Sequence, residues 1–113
     1  MYPTDRSYSK DHEWISVDGE HAVVGITDFA QQELGDIVYV ELPKIGAKVK
    51  AVSEIFAPLT GTVVKANESL DRNPETANQD PHGEGWYCKL QLTNPSELEG
   101  LMNAAAYEEL IGG

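Results

Sequence analysis

The side chains that could do chemistry are few and widely spaced along the chain. His12, His21 and His82 lie on separate segments, without the short spacings by which zinc sites gather several nitrogen or sulfur ligands. The single cysteine, Cys88, excludes an internal disulfide and a cysteine-only metal site, and its alternating context predicts a small buried apolar side chain. The sequence contains no nucleophile elbow. It also contains no Gly-rich phosphate loop, because Gly83-Glu84-Gly85 leads into a strand rather than a helix. These residues predict no catalytic centre and no metal site.

Short strands separated by turn residues dominate the pattern along the chain. The alternating segment from His12 to Val17 ends at Asp18-Gly19, a strong hairpin signal, and the segment from His21 to Ile26 forms the returning strand. Alternating or β-branched segments predict three further strands, at Asp36 to Glu41, Thr62 to Ala66 and Trp86 to Leu92.

Helices are expected to be few and short. One should run from Asp28 to Leu34, with Thr27 as its cap and Gly35 as its stop. Another should begin at Asn94-Pro95-Ser96-Glu97, and the helical pattern after it breaks near Asn103. We therefore predict a mostly-β, α+β fold in which residues 1–113 form a single domain.

The inward positions of these strands predict the hydrophobic core. The residues expected to be mostly buried are Trp14, Val24, Ile26, Val38, Val40, Val63, Trp86, Cys88 and Leu90. In the opposite register, Ile37 or Tyr39 replaces Val38 and Val40, because a slip of one residue exchanges the two faces of a strand.

Charge and hydropathy narrow the range of partners and locations. The formal net charge is −11, which argues against nucleic acid, since binding it requires cations that displace counterions. No apolar run is long enough to span a bilayer, and the first residues show neither a signal peptide nor a transit-peptide pattern. The acidity suits basic protein partners, or it serves solubility alone. We expect a cytoplasmic location, or the mitochondrial matrix for a mature eukaryotic chain.

Six motifs between Tyr8 and Leu110 resemble, in the same order, motifs of the H protein of the glycine cleavage system. In this chain they are Tyr8 to Trp14, Val24 to Gln31, Leu34 to Pro43, Ala57 to Gly61, Asp80 to Trp86 and Ala106 to Leu110. They span nearly the whole chain, which is identified on them as a member of that family.

The resemblance implies both a fold and a role. The fold is a lipoyl-domain-like barrel-sandwich hybrid of two antiparallel sheets with small helices. The cofactor is lipoate, covalently held as N6-lipoyllysine on a carrier that catalyses no step itself. The carrier takes the aminomethyl group of glycine from a decarboxylase (P protein) and presents it to an aminomethyltransferase (T protein). Dihydrolipoyl dehydrogenase (L protein) and a lipoate ligase or transferase complete the expected partners.

The segment that should present the attachment lysine departs from the family pattern. The family has a Glu-Ser-Val-Lys-Ala hairpin, whereas the stretch from Ile45 to Phe56 is shorter by about a dozen residues, roughly a strand and part of its turn. One Val49-Lys50-Ala51 stands where the family often has two such tripeptides. If it corresponds to the second copy, Lys50 is the lipoyl-lysine, because Val52-Ser53-Glu54 follows as the pattern requires. If it corresponds to the first copy, the attachment site is lost.

Four acidic residues match positions that line the cleft for the loaded arm in the family: Asp11, Glu13, Glu33 and Glu54. Glu13 and Glu54 keep the carboxylate that would pair with a protonated amine, whereas Asp11 and Glu33 fill positions of variable type. The alternative to a working carrier is a degenerate or engineered H-protein scaffold that carries no lipoate and only binds partners.

Overall fold

The protein is described by a computed structural model, which covers residues 2–38, 42, 44–49, 60–93 and 95–112. Its strands are β1 (Ser7–Tyr8), β2 (Glu13–Asp18), β3 (His21–Ile26), β4 (Lys48–Val49), β5 (Gly61–Ala66) and β6 (Cys88–Leu92). Its α-helices are α1 (Asp28–Leu34), α2 (Ser69–Arg72), α3 (Thr76–Gln79) and α4 (Ala104–Leu110), and Pro95–Gly100 forms a 3₁₀ helix. None of the helices in this part of the chain is long and apolar enough to cross a bilayer.

All six described strands belong to one antiparallel sheet with the order β1-β2-β3-β6-β5-β4. The mostly-β, α+β class is therefore confirmed. Two sheets were expected, but the described strands form one, because β3 pairs directly with β6 in the register Val24↔Cys88 and so joins the pair β2–β3 to the pair β5–β6. The predicted hairpin at Asp18-Gly19 is present, and Gly19 takes the positive φ of +64° that such a turn demands.

Each face of this sheet carries its own apolar cluster, as the period of two requires. One cluster gathers Ile15, Ala22, Val24, Val63, Cys88, Leu90 and Leu92. The other gathers Tyr8, Trp14, Ala104 and Tyr107, with α4 packed against β1. Five predicted core residues are confirmed as buried: Trp14, Val24, Val63, Cys88 and Leu90.

Three predictions about the core and strands need correction. Val38 is 82% exposed, and residues 36–38 form no strand, because the backbone N–H of Ile37 donates to Asn78 Oδ1 (2.7 Å) instead of to a strand partner. Trp86 is half-buried against the cluster that contains Trp14, not against Cys88, because strand β6 begins only at Cys88. Ile26, the last residue of β3, is mostly buried, as predicted. Tyr39, Val40 and Glu41 lie outside the described residues.

The predicted helix boundaries are largely confirmed. α1 spans the predicted residues, its cap Thr27 accepts a hydrogen bond from the Ala30 N–H (3.2 Å), and Gly35 ends it with a φ of +75°. Near the C-terminus, the expected break at Asn103 is a new helix start, because the Asn103 side chain accepts from the Ala106 N–H (2.8 Å) and caps α4. The first helical segment after residue 94 is a 3₁₀ helix rather than an α-helix.

Candidate functional site

The turn between β1 and β2 carries two of the predicted cleft carboxylates. Ser9 and Glu13 close it: the Ser9 N–H donates to the Glu13 carbonyl (2.9 Å), and the Ser9 hydroxyl accepts from the Asp11 and Glu13 N–H groups (3.3 Å each). His12 adopts a φ of +68°, which a non-glycine residue rarely takes and which bends the chain at this point. The turn places Asp11 on the surface and directs Glu13 inward.

Glu13 is a buried carboxyl, with only 3% of its surface exposed. Burial raises its pKa from 4.5 to about 7, the hydrogen bond from the Ser9 hydroxyl to Glu13 Oε1 (2.7 Å) opposes that rise, and the charge of Asp11 adds to it. Glu13 also helps to raise the pKa of the buried Cys88 thiol to about 12, although desolvation is the larger cause. A proton can therefore be taken up or released at Glu13 near neutral pH, while Cys88 stays an inert thiol.

A hydrogen-bonded cluster fixes this turn against the rest of the domain. The Thr27 N–H at the start of α1 donates to the His12 carbonyl (3.1 Å). The Tyr107 hydroxyl of α4 lies 2.8 Å from His12 Nδ1 and 2.7 Å from Thr27 Oγ1, and both Thr27 and Tyr107 are fully buried. Burial, the main cause, raises the pKa of Tyr107, so its hydroxyl stays protonated and holds turn, helix and C-terminal segment together.

An open cleft of about 730 Å³ adjoins the same turn. Ser9, Lys10 and Asp11 line one side, and residues of the 3₁₀ helix and just after it line the other: Ser96, Glu97, Gly100, Leu101 and Met102. Glu97 is already engaged there, because its carboxylate accepts from the N–H (2.7 Å) and the hydroxyl (2.8 Å) of Thr60. Asp11 makes no ion pair with any described residue, so it is the carboxylate available to a cation in this cleft.

The remaining predicted site residues are not brought together by the described structure. Glu33 is exposed in the last turn of α1, and no hydrogen bond or ion pair between described residues links it to Asp11 or Glu13. Lys50 and Glu54 lie outside the described residues. Lys48, two residues before Lys50, is exposed on β4, the outermost described strand on that side of the sheet.

A second pocket, which the sequence did not indicate, lies on the face of the sheet that carries Trp14. It joins two tryptophans to three basic side chains from four separate segments of the chain. Only the pairing of β5 with β6 brings Lys65 beside Lys89, and no spacing in the sequence reveals that neighbourhood. In the described part of the chain, no three His, Cys, Asp or Glu side chains come together as a metal site would require.

The described residues thus form a small antiparallel domain with an open cleft beside an exposed carboxylate. The comparison with known proteins makes the assignment specific: the family model for the glycine cleavage H-protein matches residues 6–112. The chain belongs to this family, that of the glycine cleavage H-protein.

Individual relatives agree over nearly the full length. The chain is 50% identical to the glycine cleavage system H protein of Symbiobacterium thermophilum, covering 94% of this chain and 92% of the relative. It is 51% identical to that of Chlorobium phaeovibrioides, covering 98% of each. A crystal structure of the H protein from Mycobacterium marinum superposes with a TM-score of 0.88 at 35% identity, covering 99% of this chain and all of the other.

The relatives also bear on the shortened segment. The alignment with the Symbiobacterium protein spans 118 positions. It includes 94% of the 113 residues of this chain, which is about 106 residues. The relative therefore has positions with no counterpart here, roughly a dozen of them. A loss of that size agrees with the one expected between Ile45 and Phe56.

Proposed function

We propose that this chain is the lipoyl-carrier protein of a glycine cleavage system. The observation that carries the proposal is the family match over residues 6–112, supported by about half identity to full-length H proteins. The carrier would shuttle the aminomethyl group of glycine from the decarboxylase (P protein) to the aminomethyltransferase (T protein) and would catalyse no step itself. Its dihydrolipoyl form would be reoxidised by dihydrolipoyl dehydrogenase (L protein). The proposed location is the cytoplasm, or the mitochondrial matrix for a mature eukaryotic chain.

Lys50 is the residue that we propose to hold lipoate, through an amide on its Nζ. It directly follows Val49, the last residue of β4, and β4 pairs with the described sheet on one side only, at β5. When bound, the lipoyl group supplies the disulfide and dithiol chemistry, so the chain need supply only an acylated lysine and a surface for the arm. A lipoate ligase or transferase is the partner that would form the amide.

The cleft beside the β1–β2 turn is the proposed resting surface for the loaded arm. Asp11 offers an exposed carboxylate that attracts a protonated amine. Glu13 is buried, and its carboxyl accepts a hydrogen bond from the Ser9 hydroxyl. Because that hydroxyl also accepts from the Glu13 N–H, we propose that Glu13 shapes the turn rather than contacting the arm. Glu33 and Glu54 are proposed to complete the acidic surroundings of the arm.

Intact-mass measurement after incubation with lipoate, ATP and a validated lipoate ligase tests the proposal. The parent chain should gain the mass of one lipoyl group, and Lys50→Arg should gain none, because the guanidinium stays protonated and cannot be acylated. Lys48→Arg is the matched control: it removes an exposed lysine two residues away and should be modified like the parent. Peptide mapping places the added mass.

The alternative function is a scaffold that binds the partners and carries no lipoate. The positions missing relative to the Symbiobacterium protein favour it, since a lost strand and turn could remove the site itself. An unmodified parent chain, tested beside a full-length H protein that the same ligase does modify, would establish the scaffold. Modification of Lys50→Arg but not of Lys48→Arg would move the attachment site to Lys48.

A further inference from the structure

A pocket of about 390 Å³ lies on the face of the sheet that carries Trp14, and we call it the tryptophan pocket. Its apolar part is formed by Trp14, Val23 and Trp86, and its rim by Arg6, Lys65 and Lys89. Its volume lies in the range of small-molecule sites, roughly 300–1,000 Å³. No described residue that lines it is acidic.

Packing and a hydrogen bond hold the Trp14 side chain in place. The Trp14 indole lies directly over Gly25 of β3, where an added Cβ would come within 2.5 Å of the ring. Its Nε1–H donates to the Pro81 carbonyl (2.8 Å), so the polar atom of the indole is satisfied, and only 3% of the residue is exposed. Trp86 is half-buried, with Lys65 Nζ 5.9 Å from the centre of its ring.

The rim of the pocket is positively charged, although the protein as a whole is acidic. The chain has 8 basic and 19 acidic side chains, yet three of the basic ones lie around this pocket. Arg6 stacks over Trp14 at 4.6 Å and is partly neutralised by Asp5 (3.0 Å). Among the described residues, neither Lys65 nor Lys89 has a carboxylate within ion-pair distance.

The two lysines lie directly opposite each other on β5 and β6. Like charges at such cross-strand positions destabilise a sheet, so this pair lowers the stability of the fold relative to an uncharged residue such as Thr or Gln at either position. His82 also lines the pocket. Burial lowers its pKa, which favours the neutral imidazole, and its Nε2 accepts a hydrogen bond from the Asp28 N–H (3.1 Å). Local conflicts of this kind are expected at functional or strained sites.

We propose that the tryptophan pocket binds a small organic anion with a flat apolar body, of which an aryl carboxylate is the simplest example. The body packs against the partly exposed Trp86 and Val23, while the carboxylate lies between the ammonium groups of Lys65 and Lys89. The pocket is separate from the cleft beside the β1–β2 turn, since the described residues that line it include neither Asp11 nor Glu13.

The pocket contains both tryptophans of the chain, which gives a direct readout. The unmodified protein, labelled with ¹⁵N, is titrated with naphthalene-2-carboxylate while the two indole N–H resonances are followed by NMR. Both resonances should shift in a saturable manner, and added salt should weaken binding. Naphthalene-2-carboxamide has the same flat body without the charge and should bind more weakly.

Charge-removing variants identify the anion's contacts. Lys65→Gln and Lys89→Gln should each weaken binding of the carboxylate by about two- to fivefold, the range of an exposed ion pair. Neither should alter binding of the carboxamide. Lys44→Gln removes an exposed lysine that does not line the pocket and should bind as the parent does.

Three results would overturn the proposal. The first is the absence of indole shifts with the carboxylate at millimolar concentration. The second is equal binding of carboxylate and carboxamide, which would leave an apolar depression with no preference for anions. The third is unchanged carboxylate binding in the double variant of Lys65 and Lys89, whose dispersed indole resonances would show that it is folded.

Discussion

Glu13 should make the stability of this domain fall as the pH rises from about 5 to 8. Its pKa is raised from 4.5 to about 7 in the folded protein, so the folded state binds more protons than the unfolded chain between those values. The free energy of unfolding therefore decreases with rising pH through this window and levels off above it. At 1.36 kcal/mol for each pKa unit, the full effect is roughly 3 kcal/mol.

Glu13→Gln removes the titration and keeps a similar shape. The amide oxygen of the substituted side chain can still accept from the Ser9 hydroxyl, so the turn should survive. The variant should match the parent near pH 5 and exceed it by about 1–3 kcal/mol at pH 8, the upper figure being reduced by the extra buried N–H donors. Urea unfolding followed by circular dichroism at several pH values measures both curves.

The control for this comparison is Glu33→Gln, which removes an exposed carboxylate on α1. The net charge of −11 also destabilises the folded state as the pH rises, and the control carries nearly the same global charge change as the test variant. Parallel curves for the parent and Glu13→Gln would refute the assignment of a neutral, buried Glu13 carboxyl. A rise in stability that Glu33→Gln shares would attribute the effect to overall charge.

Two further predictions concern the two faces of the sheet. Leu90→Ala should lower the free energy of unfolding by about 2–5 kcal/mol, because Leu90 is 1% exposed within the main cluster; a change within about 0.5 kcal/mol in chemical unfolding would contradict that burial. Gly25→Ala should lower the free energy of unfolding by about 1–3 kcal/mol and shift the Trp14 indole resonance, because the new Cβ would meet the ring. Gly100→Ala is the control, because the space at its Cβ position is open. Equal effects of the two substitutions would argue against the close contact.

Local chemistry made some parts of this structure predictable. Asp18-Gly19 fixes a hairpin, and Thr27 with Gly35 fixes both ends of α1, because each acts through backbone geometry within a few residues. Alternation likewise identifies Val24, Val63 and Leu90 as buried. These features depend little on where the rest of the chain lies.

Tertiary contacts decided the features that the sequence did not reveal. Residues 36–38 are β-branched in part, yet the Asn78 side chain from α3 takes the Ile37 N–H and Val38 points to solvent. The alternation through Trp86 to Leu92 does not show that the strand starts at Cys88, so it predicts the wrong face for Trp86. The raised pKa of Glu13 follows from a turn that buries its carboxyl, which its matched position in the family did not indicate.

One outer edge of the described sheet is formed by β1, which is two residues long. The free side of β1 is partly covered, because Tyr8 and Met102 exchange backbone hydrogen bonds of 2.8 and 2.7 Å. A short or covered edge offers few unpaired N–H and C=O groups for another chain to extend, so strand addition between copies is discouraged. At this edge another protein would have to be recognised through side chains, so such an encounter stays reversible and self-association through added strands does not compete with it.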